Sequence, residues 1–405
     1  MSVIRGLSLT GHGPAVTMSR PRRGRGAGAG PRTGRRAAAV MAAALALAVS
    51  LTGAASAAGS WVFQPVPLPP GSSSGRLVGI SCVSAAGCIA VGVNEAAPPP
   101  LAEYWNGSTW AVKDVPLPAG AGYAEASGVS CASADSCTLV GAFGVETSTT
   151  GSPLAEHWDG STWTVQTVPA PAGSRGDFVG LSAVSCASPV SCTAVGNYGS
   201  PASPNKTPLA EHWNGSTWKI QKLPGLGGGF AWLSGVSCFS GTDCTAVGFT
   251  DSAALAEHWN GSSWKIQKTP GAGGVFNGVS CTAASRCTAV GQSAVGTLAE
   301  AWNGSTWTVQ PTPNPGRLPS LTGISCVSPG SCTAVGYSSK GPLAERWNGK
   351  KWLVEPTAPG TGLRNDSLQA VSCLTGGFCS AAGSQFHRIS KKQYYFTPID
   401  ESKNG

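Results

Sequence analysis

Short runs of alternating apolar and polar residues recur along the chain, none long enough for a helix. One unit reads Gly-Val-Ser-Cys, five residues, Cys-Thr-Ala-Val-Gly, a variable stretch, then Leu-Ala-Glu-His-Trp-Asn-Gly-Ser-Thr-Trp-x-Val-Gln and a Pro/Gly-rich loop. Alternation over four to six residues, bounded by turn formers, predicts strands. Val-Ser-Cys and Cys-Thr-Ala-Val make one hairpin, which a disulfide would staple near its tip. Leu-Ala-Glu-His-Trp and Ser-Thr-Trp-x-Val make another around Asn-Gly, whose two residues tolerate the positive φ of a type I′ turn. Each unit is therefore four strands, and the cysteine pairs recur at intervals of 43 to 55 residues. That period indicates a repeat architecture, and four short antiparallel strands per unit indicate the blade of a β-propeller.

Seven cysteine pairs mark seven blades: Cys82/Cys88, Cys131/Cys137, Cys186/Cys192, Cys238/Cys244, Cys281/Cys287, Cys326/Cys332 and Cys373/Cys379. Trp-Asn/Asp-Gly hairpins number only six, at Trp105, Trp158, Trp213, Trp259, Trp302 and Trp347. The missing strand lies at the other end, because Trp61-Val62-Phe63-Gln64 matches Trp163-Thr164-Val165-Gln166. An N-terminal strand that completes the last blade leaves no sheet edge exposed. The expected fold is all-β: a seven-bladed propeller with four-stranded blades and one stapled hairpin per blade. It occupies residues 58–405, with units near 77–115, 126–168, 181–223, 233–269, 276–311, 321–356 and 368–400, and 61–67 completing the last. Gln385 to Gly405 departs from the repeat, as either that blade's third strand or a loose tail.

Charge locates the compartment. The chain has 405 residues and a formal net charge of +8, but eight of its 27 basic residues lie in the first 36, where no acid occurs. The remainder is balanced, 19 basic against 19 acidic, which removes the case for a nucleic-acid partner. After Arg35-Arg36 come an Ala/Leu-rich stretch and Ala55-Ser56-Ala57, the three parts of a secretory signal peptide over residues 1–57. Met18 is an alternative start. An uncleaved anchor is the alternative fate, since about 22 residues suffice to span a bilayer; the mature chain has no other candidate span. Fourteen cysteines in close pairs without histidines in step suit disulfides of an oxidising compartment rather than zinc. Each closed loop is worth about 2.4 kcal/mol in the chain-entropy model.

The Trp-Asn-Gly-Ser-Thr-Trp hairpin and the Ala-Val-Gly strand resemble secreted bacterial propeller repeats of the Kelch/galactose-oxidase-like or BNR-like kind, over residues 61–383. The leader looks actinobacterial. Asp159-Gly-Ser-Thr-Trp163 is similar to the Asp-box of sialidase-type propellers, although its acid-to-Trp spacing is one residue short and most copies carry Asn. The resemblance implies the fold, not an activity, because propellers host many functions.

Residues that recur in every blade serve the ring, whereas a site breaks the symmetry. Glu103, Glu156, Glu211, Glu257, Glu300 and Glu345 are expected beside apolar residues, accepting hydrogen bonds from a neighbouring blade. His157, His212 and His258 sit at equivalent positions of different blades, about 10 Å or more apart, too far to share a metal. No serine-hydrolase elbow or phosphate loop occurs, and neither a cofactor nor a metal is expected. Thirteen of the 14 tryptophans belong to the repeat; Trp232 does not.

Strand order puts the Cys-hairpin tips and Asn-Gly turns on one face, where their lengths are constant. The opposite face carries the variable connections. From the glycine of Ala-Val-Gly to the next leucine these hold 8, 12, 12, 6, 6 and 6 residues. Binding is expected there, over blades one to three, by Asn94, Glu95, Phe143, Glu146, Tyr198, Asn205 and Lys206, with Phe230 and Trp232 adjacent. The sequence thus points to a secreted, monomeric, non-catalytic propeller recognising an extracellular glycan or protein. A polysaccharide hydrolase or lyase and a structural envelope protein are the alternatives.

Overall fold

Each unit folds into one four-stranded antiparallel sheet, giving seven sheets among the described residues of the computed structural model. Those residues are 59–404 without 96–98, 146–149, 175, 201–205, 271–272, 359–365 and 391–393, so the expected leader lies outside them. Blade 1 comprises Gly75–Ser84, Gly87–Asn94, Leu101–Trp105 and Trp110–Val112, from inner to outer strand. Blades 2 to 6 repeat this order, with inner strands Tyr123–Ser133, Phe178–Ser188, Ala231–Ser240, Val275–Ala283 and Ser320–Ser328. Blade 7 draws on both ends of the chain: Ser367–Cys373, Cys379–Arg388, Tyr394–Lys403 and, outermost, Val62–Pro65. The C-terminal segment is thus the third strand, not a tail. Its register sets Ile399-Asp400-Glu401 where other blades have Leu-Ala-Glu, and Lys403 where they have the first tryptophan.

All seven expected bridges form: Cys82–Cys88, Cys131–Cys137, Cys186–Cys192, Cys238–Cys244, Cys281–Cys287, Cys326–Cys332 and Cys373–Cys379. Each joins directly opposed residues of the inner and second strands. They lie near the hairpin tips, as expected, and are also largely buried. The second cysteines, Cys88, Cys137, Cys192, Cys244, Cys287, Cys332 and Cys379, are not at the surface but buried in the blade cores, at most 5% exposed. Of the first cysteines Cys82 is buried too, and the other six are half-buried. The covering group comes from the preceding blade, where the threonine after the second cysteine packs onto the next sulfur. Thr193 Oγ1 lies 3.5 Å from Cys244 Sγ, and Thr245 Oγ1 lies 3.5 Å from Cys287 Sγ. The bridges are therefore part of the joints between blades and no part of a binding surface.

The serine before the first cysteine has a second task. Ser81 Oγ accepts from the amide of Cys131 at 3.0 Å, and Ser130, Ser185, Ser237, Ser280 and Ser325 accept likewise from Cys186, Cys238, Cys281, Cys326 and Cys373. Ser372 accepts from Cys82 at 3.0 Å and closes the circle. Seven equivalent bonds run around the axis, one per joint.

Two glycines of the repeat permit this approach. A Cβ on Gly79 would lie 3.1 Å from the Cα of Gly128, and one on Gly235 3.2 Å from that of Gly278, so inner strands meet backbone to backbone. A bulge on each inner strand, at Val78, Ser127, Ser182, Ser234, Asn277, Thr322 and Gln369, turns a carbonyl onto the second strand. The glycine of Ala-Val-Gly receives it; a Cβ on Gly248 would sit 1.8 Å from Trp232 O. Bulges of this kind bend and twist a strand.

Further out, the second tryptophan of each hairpin is buried between blades. Trp218, Trp264 and Trp307 donate Nε1–H to Gln166, Gln221 and Gln267 of the preceding blade at 2.8 Å, and Trp352 donates to Gln310 at 2.9 Å. At the closing joint the acceptor is charged: Glu355 receives Trp61 Nε1–H and also pairs with Arg346 and with Lys403, whose ammonium lies over the Trp61 ring. The Asn-Gly turn differs from the type I′ expectation. Only its glycine has positive φ, 94° at Gly107, while Asn106 Oδ1 accepts from the amides of Ser108 and Thr109 at 2.9 Å. The connection holds four residues between paired tryptophans, and the asparagine side chain closes it as an Asx turn. In blade 2 Asp159 does the same, and the amides of Thr162 and Ser161 with the Ser161 hydroxyl hold its carboxyl below the usual range.

The repeat glutamates are seven, not six, since Glu401 joins them by register, and all are fully or almost fully buried. The expected hydrogen bonds from a neighbouring blade reach Glu345, from Thr297 Oγ1 at 3.5 Å, and Glu401, from the Ala358 amide at 2.9 Å. No hydrogen bond from the described residues reaches the carboxyl of Glu103, Glu156, Glu211 or Glu257. Ala358 stands six residues beyond Trp352; the same position after the other outer tryptophans is Pro67, Pro116, Pro169, Pro224, Pro270 or Pro313. Proline has no N–H to give. Burial therefore pushes Glu103, Glu156 and Glu211 up to about 8 and Glu257, Glu345 and Glu401 up to about 7.

Two outcomes follow for stability. Ser237→Ala orphans the Cys281 amide and should cost about 1–3 kcal/mol, and Gly248→Ala at least as much through the clash with Trp232 O; guanidinium unfolding midpoints measure both. The native glutamates bind protons that the unfolded chain, titrating near 4.5, has released. Stability is therefore full below that value and is lost as pH rises toward about 8, each pKa unit being worth about 1.4 kcal/mol. The Tm should fall from about pH 5 to about pH 8.5, and Glu211→Gln should make the fall shallower; an unchanged slope in that variant would remove Glu211 from the account.

Candidate functional site

Asymmetry on the variable face is concentrated between blades 3 and 4. There a groove of about 330 Å³ is lined by Tyr198, Lys206, Pro208, Leu223, Leu226 and Gly229, among others. Local chemistry shapes each wall. Gly227, Gly228 and Gly229 all take positive φ, 77°, 90° and 92°, a path closed to most side chains. A Cβ on Gly229 would lie 2.7 Å from Asp251 Oδ2. Without it, the Asp251 carboxylate accepts the Phe230 amide at 2.9 Å and ties the glycine loop to the connection between the second and third strands of blade 4.

Phe230 is thereby held against two other rings. Its centroid lies 6.3 Å from Trp232, nearly parallel, and 5.6 Å from Phe249. Phe249 reaches Trp232 because the bulge shifts the register: counting from the disulfide pairs Trp232 with Thr250, whereas the observed partner is Phe249. All three rings are half-buried, so Trp232 forms part of a cluster instead of projecting alone. Such amphipathic rings with exposed faces suit recognition. On the blade 3 side the Lys206 ammonium donates to Ser200 O at 3.0 Å, and the Lys206 carbonyl accepts the Ala231 amide at 3.1 Å, joining the two walls.

Of the nine residues expected to bind, Tyr198 and Lys206 line this groove and Phe230 and Trp232 adjoin it. Glu146 and Asn205 lie outside the described residues. The other three lie elsewhere. Glu95 is engaged by Arg76 at 2.8 Å and by the Ser74 hydroxyl at 3.1 Å. Phe143 packs against the core of blade 2, and Asn94 pairs with Gly75 at the end of its strand. Sequence reasoning missed Phe249, which the bulge brings in, and Leu226 in the glycine loop. It also missed an aromatic group on blade 7, where Phe386 contacts Tyr394 and Phe396 and Arg76 lies over Phe396.

The three histidines stand on separate blades. Burial lowers the pKa of His212, whose Nδ1 lies 3.4 Å from Thr193 Oγ1, and His258 Nε2 lies 3.8 Å from Asp243. The formal charge balance misrepresents the surface. Among the described residues nine acids are buried, the seven glutamates with Asp366 and Asp400, against one base, Lys403. The molecule therefore shows solvent a basic face.

No family model matches the sequence, and no curated protein matches it. Among solved structures, YCF48 from Cyanidioschyzon merolae superposes with a TM-score of 0.53 at 12% identity, over 84% of this chain and 98% of that one. YCF48 bound to D1 peptide gives 0.49 at 11% identity, over 85% and 95%, and U3-55K gives 0.43 at 11%, over 67% and 80%. At this identity the first of these likenesses speaks to the fold alone: the chain is a seven-bladed β-propeller with one disulfide in every blade.

Proposed function

We propose that this is a secreted, monomeric, non-catalytic binding propeller that engages an extracellular glycan or protein through the variable face between blades 3 and 4. The carrying observation is a groove lined by Tyr198 and Lys206, with the Phe230–Trp232 ring cluster flanking its lining residue Ala231 in sequence. Ligand sites are concave and mostly apolar with a few placed polar groups, a description that fits Leu223, Leu226 and Pro208 beside the Lys206 ammonium. Seven disulfides support an oxidising compartment, and cleavage after Ala57 with Kelch- or BNR-like repeats belongs to the same reading. Binding is favoured over hydrolysis by the placement of carboxyls. The seven bulged residues of the inner strands, from Val78 to Gln369, include no acid, and the repeat glutamates raised by burial are buried in the blade packing.

A glycan array and a panel of extracellular proteins, run beside a hydrolysis screen, test the proposal. Trp232→Ala and Tyr198→Ala should each weaken the recognised partner about tenfold or more, as loss of a central aromatic does, with no product released. If Trp232→Ala combined with shortened 142–153 and 197–208 loops leaves every interaction unchanged, the groove is not the site. Turnover of any polysaccharide would replace binding with catalysis.

A further inference from the structure

We infer a second site: the outer rim of blades 3 to 5, where a basic, tryptophan-walled cleft between blades 4 and 5, whose residues recur in sequence one joint earlier, fits an acidic polysaccharide. The cleft between blades 4 and 5 has a volume of about 510 Å³. Trp302 forms one wall, Gln267 and Trp307 the floor, and Lys265, Lys268 and His258 the opposite side.

The sequence repeats these parts one blade earlier. His-Trp-Asn-Gly-Ser-x-Trp-Lys-Ile-Gln-Lys occurs at 212–222 and again at 258–268, and no other outer strand carries the lysine pair. Blade 1 has Ala111-Val112-Lys113-Asp114, blade 2 Thr164-Val165-Gln166-Thr167, and blade 5 Thr308-Val309-Gln310-Pro311. At the joint between blades 3 and 4 the corresponding residues are His212, Lys219, Lys222 and Trp259, and Lys222 also lines the variable-face groove.

What opens the two joints is the fate of the first tryptophan of each hairpin. Trp105 is buried in a core cluster against which Leu374 and Phe378 pack. Trp158 is covered by Lys113, whose ammonium lies 5.5 Å from its ring and 5.6 Å from that of Tyr104. Gln221 and Gln267 replace Lys113 at the later joints and turn instead to Trp264 and Trp307, leaving Trp259 and Trp302 half-exposed. Lys219, Lys222, Lys265 and Lys268 are all exposed. The nearest acid in contact is Asp243, 3.8 Å from His258, and Ser191 stands in its place one blade earlier.

Chemistry selects the ligand. A half-exposed indole face takes the apolar face of a sugar ring, the lysines take its acidic groups, and the Gln267 amide, whose oxygen is engaged by Trp307, keeps its N–H donors for hydroxyls. A polymer repeats these features as the rim does, so the two residue sets on one chain gain from joint occupancy. With nine acids buried among the described residues, Asp243 beside His258 is the one acid in contact with this cleft, and little opposes the attraction.

The test uses the full chain and polygalacturonate, with dextran and poly-L-glutamate as controls, by calorimetry at low salt and at about 0.5 M salt. Polygalacturonate should bind, dextran should not, and poly-L-glutamate should bind about tenfold more weakly for want of stacking. Replacing Lys219, Lys265 and Lys268, none of which lines the variable-face groove, together by Gln should reduce affinity about tenfold or more and flatten its salt dependence, with an unchanged Tm. Trp232→Ala should leave this affinity alone, which separates it from the variable-face groove. Trp302→Ala should weaken binding further; should it fail to fold, the lysine set decides. No binding of polygalacturonate, equal binding by the lysine variant, or equal binding of poly-L-glutamate would each overturn the assignment.

Discussion

Everything in this molecule depends on how closely seven inner strands approach one another around the axis. The belt of serine hydroxyls, each accepting the cysteine amide of the next blade at 2.9–3.0 Å, is possible only with backbone in contact with backbone. The inner-strand glycine of five blades follows from that approach, while the bulge and the glycine of Ala-Val-Gly fit the inner strand onto the second strand of its own blade. The disulfide beside the belt holds its hairpin in the one register that presents the serine and the amide together. A repeat that looked like a list of small residues is a description of one tight joint, used seven times.

The same packing decides the electrostatics. A carboxyl placed between two blades, facing a proline-marked linker, has lost water without gaining a backbone donor, and it stays protonated well above its ordinary range. Five such glutamates, Glu103, Glu156, Glu211, Glu257 and Glu345, are shifted in this way, and Glu401 is raised by burial despite its amide. The burial of these acids gives the formally balanced part of the chain beyond residue 36 a basic surface. Where Ala358 replaces the proline, Glu401 gains an amide. A buried neutral carboxyl keeps its packing and gives up its charge, which is why stability and surface charge are coupled through pH here.

Departures from the repeat fall at two places with different meanings. At the closing joint Glu355, Lys403, Arg346 and Trp61 form a charged cluster where other joints use Trp–Gln pairs, because both chain ends meet there. Between blades 3 and 5 the departures are outward-facing: the glycine loop with its three rings on one side, the lysine pairs on the rim. The first strengthens a seam that no covalent link crosses, whereas the second offers surfaces that ring closure does not use.

Much of this was legible in the residues. Cysteine and tryptophan spacing gives seven blades and four strands in each, and Trp61 identifies the strand that closes the last, because strand alternation and turn chemistry are local properties. The pairing of Cys88 with Cys82 was equally legible, but not its burial, since the threonine that covers such a sulfur belongs to another blade. The seventh glutamate was hidden, because Ile399-Asp400-Glu401-Ser402-Lys403 keeps the pattern only at Leu and Glu and has no tryptophan. The Trp232–Phe249 pairing was hidden too, because one bulged residue moves every partner beyond it. Of the nine expected binding residues, four gather at a groove and three are used elsewhere, as Glu95 is by Arg76. The sequence alone determined which strands exist and in what order. The tertiary structure decided which carboxyls keep their charge and which rings stay open to solvent, because both depend on what a neighbouring blade places against them.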